Sequence, residues 1–436
     1  MPAPIRLGIS RNRRHLITGD GAPFFWLGDT AWELLHRCTR DEITHYLRVR
    51  AAQGFNVVQA VVLAELDGLT VPNMEGHVPL HDLDPSRPDE RYFALVDFAV
   101  AEAARAGITL ALLPTWGDKF NRKWRGQEVF TPDNAYVYGR WLGTRYADAP
   151  LVWVLGGDRP LETATHLTIV QRMAAGLREG DGGRHLMTFH PCGVQTSAAF
   201  VHGEPWLDFN MIQSGHCGRD NGNWRMIALD RQREPTKPVL DGEPNYEDHP
   251  VMKPGWQEIG GWFDAYDVRK AAYRAVLSGA CGHTYGCHDI WQMWTPERAV
   301  HNRVRTPWTE ALQLPGARQM GHVRKLAESY AILWGSASPM RVQAAGVASD
   351  SLAEHGIVGH FGHACAAIHL PAPRGITVTV GDTAGPLTWQ WFDPRTGEAH
   401  ALVTPARPET GVTLAPPNAG PQDDWVLLIE DRVAGA

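Results

Sequence analysis

The chain has 436 residues, of which 44% are hydrophobic and 20% charged, so it can bury a large core and is not a disordered tail. Its formal net charge of −7 argues against a nucleic-acid-binding surface, and no apolar run approaches the ~20 residues of a membrane helix. The amino terminus is basic but has no apolar stretch after it, so we expect no secretory signal and a cytoplasmic location, or a secreted or periplasmic one if a leader was removed.

Eight short apolar runs recur along the first two thirds of the chain, and each ends in glycine or polar residues. They cover residues 24–27, 57–63, 108–113, 151–155, 186–189, 209–212, 238–240 and 280–284. Successive runs lie roughly 37 residues apart, which leaves room for a strand, a loop, a helix and a return loop. This spacing predicts an α/β fold, a (β/α)8 TIM barrel over residues 1–338.

Amphipathic helical patterns lie between the runs. Residues 40–53 and 92–106 each carry one apolar face, and Gly54 and Gly107 follow them at the position where glycine commonly ends a helix. Two loops, 65–91 and 218–235, are long enough to shape a pocket.

The pattern changes near residue 340, where short alternating runs are separated by turn residues. Residues 393–397 are typical of a hairpin turn, and we predict a small carboxy-terminal β-sandwich domain over 339–436. We expect its histidines His360, His363 and His369 to be half-exposed surface residues.

Two carboxylates stand at strand ends on opposite sides of the predicted barrel. Asp158 follows the fourth run and Glu243 follows the seventh, and chemistry in such barrels occurs at the carboxyl ends of the strands. Two such carboxylates are the minimum equipment for glycoside hydrolysis, because one must be protonated and the other ionised. Each could instead form an ion pair with a nearby Arg or Lys.

Other polar and aromatic residues at the strand ends could bind the hydroxyl groups and ring faces of a sugar. The chain is rich in tryptophan, with 17 residues, although excess tryptophan is often simply core. The candidate substrate-binding residues are Asp29, Trp32, Gln59, Trp116, Asp118, Lys119, His190, Gln213, His216, Tyr285, His288 and Trp291.

No cofactor or metal is expected. Cys281, His283, Cys287 and His288 match no common zinc spacing, and the sequence has no phosphate-binding loop or GxSxG motif. The six cysteines are scattered without a CxxC pair, which indicates structural thiols.

Seven motifs resemble the apiosidase-like glycoside hydrolases, also grouped as glycoside hydrolase family 140. They are GDTAW (28–32), LLPTWGDK (112–119), WVLGGD (153–158), FHPCG (189–193), FNMIQSGH (209–216), PVLDGEPNYE (238–247) and GHTYGCHDIWQMW (282–294). The resemblance covers residues 5–335 and includes nearly every barrel strand in order.

The resemblance implies a retaining mechanism, with Asp158 as acid/base and Glu243 as nucleophile, and a plant-derived substrate such as the apiose linkage of a pectic side chain. The wider clan has Glu after Asn at the acid/base position, whereas here Asp158 follows two glycines. We expect Gly156 and Gly157 to allow the shorter side chain to approach the bond. The carboxyl groups of a retaining pair should lie ~5–5.5 Å apart.

Three alternatives stay open at this point. The chain could be a glycoside hydrolase with another furanosidase or pyranosidase specificity, or a non-catalytic carbohydrate-binding barrel. It could also be a metal-dependent hydrolase that uses His190, His216, His283 and His288. In the first two cases the partner is a carbohydrate, with no nucleic acid or membrane involved, and the oligomeric state is not predicted.

Overall fold

The computed structural model describes residues 6–329, 341–344, 356–361, 365–380, 386–403, 410–418 and 420–431. The predicted domain boundary between 338 and 339 and the side chains of His360 and His363 lie outside what the structure describes.

The eight predicted strands form a barrel of parallel strands. In chain order they are β1 (Trp26–Thr30), β2 (Val57–Leu63), β3 (Thr109–Thr115), β4 (Leu151–Gly156), β5 (Met187–His190), β6 (Asn210–Gln213), β7 (Val239–Asp241) and β8 (Gly282–Tyr285). The hydrogen-bonded order is β5-β4-β3-β2-β1-β8-β7-β6, and a short strand, Gln195–Thr196, pairs antiparallel with β6. The (β/α)8 prediction is therefore confirmed, with most strands shifted by one or two residues.

The barrel is nearly closed, and its seam lies between β5 and β6. Met187 accepts a backbone hydrogen bond from Asp208 at 2.9 Å, and the Thr188 hydroxyl donates to the Phe209 carbonyl at 2.7 Å. These bonds replace a regular ladder at the seam.

Alternation of side chains along each strand separates the barrel interior from the outer layer. One buried apolar cluster fills the interior with Trp26, Val57, Val61, Ala111, Leu113, Val152, Val154, Met211 and Leu240. The intervening residues of the same strands pack against the surrounding helices. A residue's position within its strand thus decides whether it can face the barrel mouth.

In the described part of the chain, seven longer helices surround or flank the barrel. They are α1 (Arg40–Ala52), α2 (Glu90–Arg105), α3 (Pro132–Arg145), α4 (Ala164–Asp181), α5 (Asn223–Asp230), α6 (Ala265–Leu277) and α7 (Pro315–Ser329). Shorter helices occupy Leu34–Arg37, His288–Trp291 and Trp308–Ala311. The two helices predicted over 40–53 and 92–106 are confirmed, and the segment 218–235 is not a plain loop because it contains α5.

Several helices begin with side-chain caps. Thr39, Thr131 and Asp264 each accept a bond from a backbone N–H of the first turn, and a side chain of that turn returns one. Small sheets complete the barrel: Leu7–Ile9, Leu16–Thr18 and Pro23–Phe24 near the amino terminus, and a hairpin of Pro250–Lys253 and Gln257–Trp262 beyond β7. No helix in the described ranges is long and apolar enough to cross a membrane.

The described part of the carboxy-terminal region is all β. One sheet contains Arg341–Ala344, Ile376–Thr379 and Val412–Leu414, and the other contains Val358–Phe361, Cys365–Leu370, Trp425–Asp431, Leu387–Phe392 and Ala399–Leu402. Every described pairing is antiparallel, and the predicted hairpin turn at 393–397 joins two paired strands.

A buried polar joint fixes this domain to α6 of the barrel. Arg269 donates to both carboxylate oxygens of Asp424 at 2.6–3.2 Å, and His369 Nε2 lies 3.2 Å from the same carboxylate. Tyr273 stacks on the His369 ring, with centroids 5.3 Å apart. The prediction that His369 is half-exposed is therefore wrong, because its side chain is fully buried between the two domains.

Candidate active site

A sharp turn after β4 places Asp158 at the mouth of the barrel. Gly156, Gly157 and Asp158 have φ of +89°, +113° and +48°, so three successive residues are left-handed. A Cβ on Gly157 would lie 2.8 Å from the Gly117 nitrogen and 2.9 Å from the Trp116 ring, which leaves no room for a larger residue. The two glycines thus permit close approach to neighbouring strand ends, which in turn fixes where Asp158 points.

Asp158 is held by the residues that face it across the turn. Its backbone N–H donates to His190 Nδ1 at 3.3 Å, and its Oδ1 accepts from the Gly193 N–H at 3.2 Å. Arg159 Nη1 lies 3.6 Å from Oδ2. The Asp158 side chain is 30% exposed, so it can reach a ligand in the mouth.

Glu243 lies across the mouth, two residues beyond the end of β7. His190 Nε2 is 2.9 Å from its Oε2, and His216 Nε2 is 3.1 Å from its Oε1. His190 comes from the end of β5 and His216 from the segment after β6, so three strands converge on one carboxyl group. Its side chain is 7% exposed.

The two carboxyl groups have opposite pKa shifts. Desolvation raises the pKa of Asp158 to about 7, the charge of Glu243 adds to the rise, and Arg159 and His190 reduce it. Desolvation also acts upward on Glu243, but the contacts with His190 and His216 lower its pKa to about 2. Near neutral pH, Asp158 can therefore hold a proton while Glu243 is ionised.

An aromatic wall stands beside this pair. The rings of Trp32 and Trp116 are 5.1 Å apart, and both lie within 5.7 Å of the His190 ring. On the other side, His216 contacts Tyr246 at 4.5 Å and stacks on His249 at 4.3 Å. His288 meets His249 edge-on at 4.4 Å and accepts from Trp291 Nε1 at 3.1 Å.

Several buried polar atoms around Glu243 have no hydrogen-bond partner among the described residues. They include Trp116 Nε1, His190 Nε2, Gln213 Oε1, His216 Nδ1 and Oε2 of Glu243 itself, in residues that are at most 6% exposed. Because unpaired buried polar atoms are costly, their concentration at one carboxylate is typical of a site for a polar ligand.

The remaining predicted residues occupy two further positions. Gln59 is fully buried beneath the site and donates to the carbonyl of Gly242 at 2.9 Å, so it supports the backbone next to Glu243. Asp118 and Lys119 pair with each other at 2.6 Å in the loop after β3, where desolvation raises the pKa of Asp118 to about 6.

Asp29 and Tyr285 do not lie in the site. Asp29 is fully buried on the helix-facing side of β1, where it accepts from Tyr46 and Arg50 of α1 at 2.5 and 2.6 Å. Tyr285 also points outward, and its hydroxyl donates to Glu247 at 2.6 Å. The structure thus corrects both assignments: these side chains hold the outer layer to the barrel and cannot touch a ligand in the mouth.

Sequence reasoning missed three neighbours of the pair, namely Arg159, Tyr246 and His249. Arg159 directly follows Asp158, and a cation beside a candidate acid is a signal that could have been used. Burial and the charge of Glu243 raise the pKa of Tyr246. His249 carries no sequence signal, because it reaches the site only through the chain reversal after Glu243.

Two of the four histidines considered for metal binding, His190 and His216, meet at Glu243, but the four do not form a metal-binding set. Among the described residues, no three His, Cys, Asp or Glu side chains are arranged to hold a metal ion. His283 is fully buried, and neither of its ring nitrogens has a partner in the described ranges.

Comparison with known proteins agrees with the fold. The family model "Apiosidase-like, catalytic domain" matches residues 10–333, and the model "Putative collagen-binding domain of a collagenase" matches residues 347–430. No curated protein matches the chain.

Solved structures resemble the chain over almost its whole length. One, described as a glycoside hydrolase, is 26% identical with a TM-score of 0.83, covering 98% of this chain and 97% of that chain. A glycoside hydrolase family 5 structure from Bacteroides vulgatus ATCC 8482 is 26% identical with a TM-score of 0.84, covering 98% and 94%. The barrel and the β domain are therefore shared as one architecture.

Proposed function

The chain belongs to the apiosidase-like family of glycoside hydrolases, and from this premise we propose that it cleaves its substrate with retention of configuration, using Asp158 and Glu243. The proposed substrate is a plant-derived glycoside, with an apiosyl residue as the sugar that is transferred. The family match supports that sugar.

One observation carries the proposal: a single imidazole, His190, touches both carboxyl-bearing residues, whose pKa values are shifted apart. Glu243 is suited to be the nucleophile because it is ionised, and Asp158 is suited to be the acid because it keeps its proton to about pH 7.

Hydrolysis would take two displacements. In the first, a Glu243 oxygen bonds to the anomeric carbon while the bond to the leaving oxygen breaks and Asp158 gives that oxygen its proton. In the second, Asp158 takes a proton from water, the water oxygen bonds to the anomeric carbon, and Glu243 departs as a carboxylate. Both steps restore the starting protonation of the enzyme.

The two histidines beside Glu243 would hold it in place during both steps. His216 Nε2 lies at hydrogen-bond distance, 3.1 Å, from Oε1, and His190 Nε2 makes a 2.9 Å contact with Oε2 outside hydrogen-bond geometry, so the two rings face opposite oxygens of Glu243. These contacts orient the carboxylate and would stabilise it when it leaves as an anion.

The direct test is hydrolysis of apiose-containing pectic oligosaccharides and a panel of nitrophenyl glycosides, with the anomer of the first product read by NMR. We expect retention. A first product of inverted configuration would contradict the double displacement, and no release from any substrate would favour a carbohydrate-binding protein over an enzyme.

Glu243→Gln should lower kcat by at least about 10³-fold, because the amide is a poor nucleophile. The matched control is Glu247→Gln, the same change at a buried carboxyl that bonds to Tyr285 and to the Gly316 N–H, away from the mouth. Near-normal turnover by Glu243→Gln, with both variants folded by circular dichroism, would remove the nucleophile assignment.

A further inference from the structure

The loop after β3 carries the most exposed tryptophan in the described part of the chain. Trp124 is 58% exposed, whereas the tryptophans at the bottom of the mouth, Trp32 and Trp116, are each 3% exposed. A large ring left in water at the rim of a mouth has no evident role in the core, because it buries too little area to stabilise the fold.

Contacts just before Trp124 tie its loop to the segment that follows Asp158. Asn121 Nδ2 donates to the Pro160 carbonyl at 2.9 Å and to Glu162 at 3.1 Å, and Lys123 forms an ion pair with Glu162. The loop is therefore fastened beside the proposed acid.

Arg159 joins the ring to Asp158 directly. Its guanidinium carbon lies 5.0 Å from the centre of the Trp124 ring, while Nη1 donates to the Asp158 carbonyl at 2.8 Å. Arg159 is only 2% exposed and is also held by Glu65 at 3.2 Å. One face of the indole is thus backed by a fixed cation, and the exposed area belongs to the rest of the ring.

We infer that Trp124 forms a binding subsite for the leaving group, in which its open face stacks on the apolar face of the departing sugar ring. This inference rests on the proposed function. The acid must touch the leaving oxygen, so the leaving group extends outward past Asp158, and Trp124 is the exposed ring linked to that residue. Tryptophan offers a sugar ring a large flat apolar surface at small entropic cost.

The subsite should affect only substrates whose leaving group is large enough to reach it. The two probes are an apiosyl disaccharide, whose leaving group is a sugar, and apiosyl fluoride, whose leaving group is a single atom. Trp124→Ala should lower kcat/KM on the disaccharide by about 3- to 10-fold, which corresponds to the free energy of one aromatic stacking contact. It should change kcat/KM on the fluoride by less than about 2-fold.

Two further variants make the comparison specific. Trp124→Phe keeps an aromatic face and should retain most of the disaccharide activity. Trp256→Ala removes another exposed tryptophan, which contacts His216 and His249 on the opposite side, and should leave the ratio of disaccharide to fluoride activity as in the wild type. An unchanged ratio in Trp124→Ala would overturn the inference.

Failure of the proposed function has a different signature. If the wild-type enzyme hydrolyses neither apioside but hydrolyses another glycoside of the panel, the proposed apiosyl specificity is wrong. The Trp124 comparison is then made between the disaccharide and the fluoride of that sugar. If the wild type hydrolyses nothing, both the function and the subsite are overturned.

Discussion

His190 connects the two carboxyl-bearing residues through opposite nitrogens of one ring. Its Nδ1 lies 3.3 Å from the Asp158 N–H and 3.0 Å from the Pro191 carbonyl, and its Nε2 faces Glu243. Nδ1 accepts from the Asp158 N–H when it carries no hydrogen and donates to the Pro191 carbonyl when it does. In either state, the ring fixes the spacing of the two strand ends.

The pH dependence of activity should report the two carboxyl groups. Asp158 must be protonated to act as acid, so activity should fall as pH rises through about 7, and Glu243 should stay ionised down to about pH 2. Arg159 lowers the pKa of Asp158, and Glu65 raises it. Arg159→Gln should therefore move the alkaline limb of kcat/KM to higher pH. The variant lacks the cation that lowers the pKa of Asp158, while the charge of Glu65, which raises that pKa, remains.

The control for this shift is Arg159→Lys, which keeps a positive charge and should leave the limb close to its wild-type position. The position of the limb, not the rate, is the measurement, since Arg159 also supports Trp124. A limb that moves to lower pH in Arg159→Gln would show that Asp158 is not the group being titrated.

Asp158→Ala should separate substrates by the quality of their leaving group. Loss of the acid should lower kcat on alkyl or sugar glycosides by about 10²–10⁴-fold, but much less on aryl glycosides whose leaving groups need no proton. Steady-state rates on the two classes give the comparison. Equal losses on both would contradict the acid role.

At the scale of single elements, the turn after β4 depends on its glycines. Gly157→Ala forces a left-handed residue to carry a Cβ that meets Gly117 and Trp116, so we expect a loss of about 2–4 kcal/mol in the free energy of unfolding and a marked fall in kcat/KM. Denaturant unfolding and kinetics measure the two effects.

Gly107→Ala is the matched control, because Gly107 is also left-handed (φ +72°) but nothing lies within 4 Å of its added Cβ. Gly107→Ala should lower the free energy of unfolding by about 1 kcal/mol, the cost of holding alanine in a left-handed conformation, and its activity should be normal. Equal losses in the two variants would mean that close packing at Gly157 does not position Asp158.

Element type was predictable from the sequence, and side-chain direction was not. The eight strands were found because parallel barrel strands are continuous apolar runs that end in glycine or polar residues. Adjacent residues of a strand point to opposite faces, however, and the sequence did not determine which of them faces the barrel mouth. Asp29 and Tyr285 therefore looked equivalent to His190, but in the structure they lie on the outer side.

Contacts that form only because the chain reverses direction could not be predicted from the sequence either. His249 and Tyr246 reach His216 only because the segment after Glu243 folds back over the mouth. Asp158 and Glu243 were found because each directly follows a strand that could be recognised. The burial of His369 depends on how two domains meet, which alternation within one strand does not encode.

At the scale of the whole molecule, the joint between the domains is a buried charged cluster. Asp424 is fully buried and contacts Arg269 and His369, and both contacts lower its pKa against the upward effect of desolvation. Arg269 lies in α6, the helix that runs from the segment after Glu243 to β8. The β domain is therefore fixed to the helix that leads into the last barrel strand.

His369 makes this joint sensitive to acid. Desolvation lowers its pKa from 6.5, and Asp424 only partly restores it. Between 6.5 and that lowered value the unfolded chain binds a proton that the folded protein does not, so the contribution of His369 to stability is complete above about pH 6.5 and is lost as pH falls. The loss is at most about 1.4 kcal/mol per pH unit for one group.

His369→Gln keeps a donor for Asp424 but cannot titrate. The difference in unfolding free energy between wild type and this variant should therefore shrink as pH falls from 7.5 to 5, as measured by denaturant unfolding at each pH. The control His45→Gln changes an exposed histidine of α1, and its curve should run parallel to the wild type. A difference that is independent of pH for His369→Gln would mean that folding leaves the pKa of His369 unchanged, and a difference that grows as pH falls would mean that His369 is protonated in the folded joint, as a second cation on Asp424 beside Arg269.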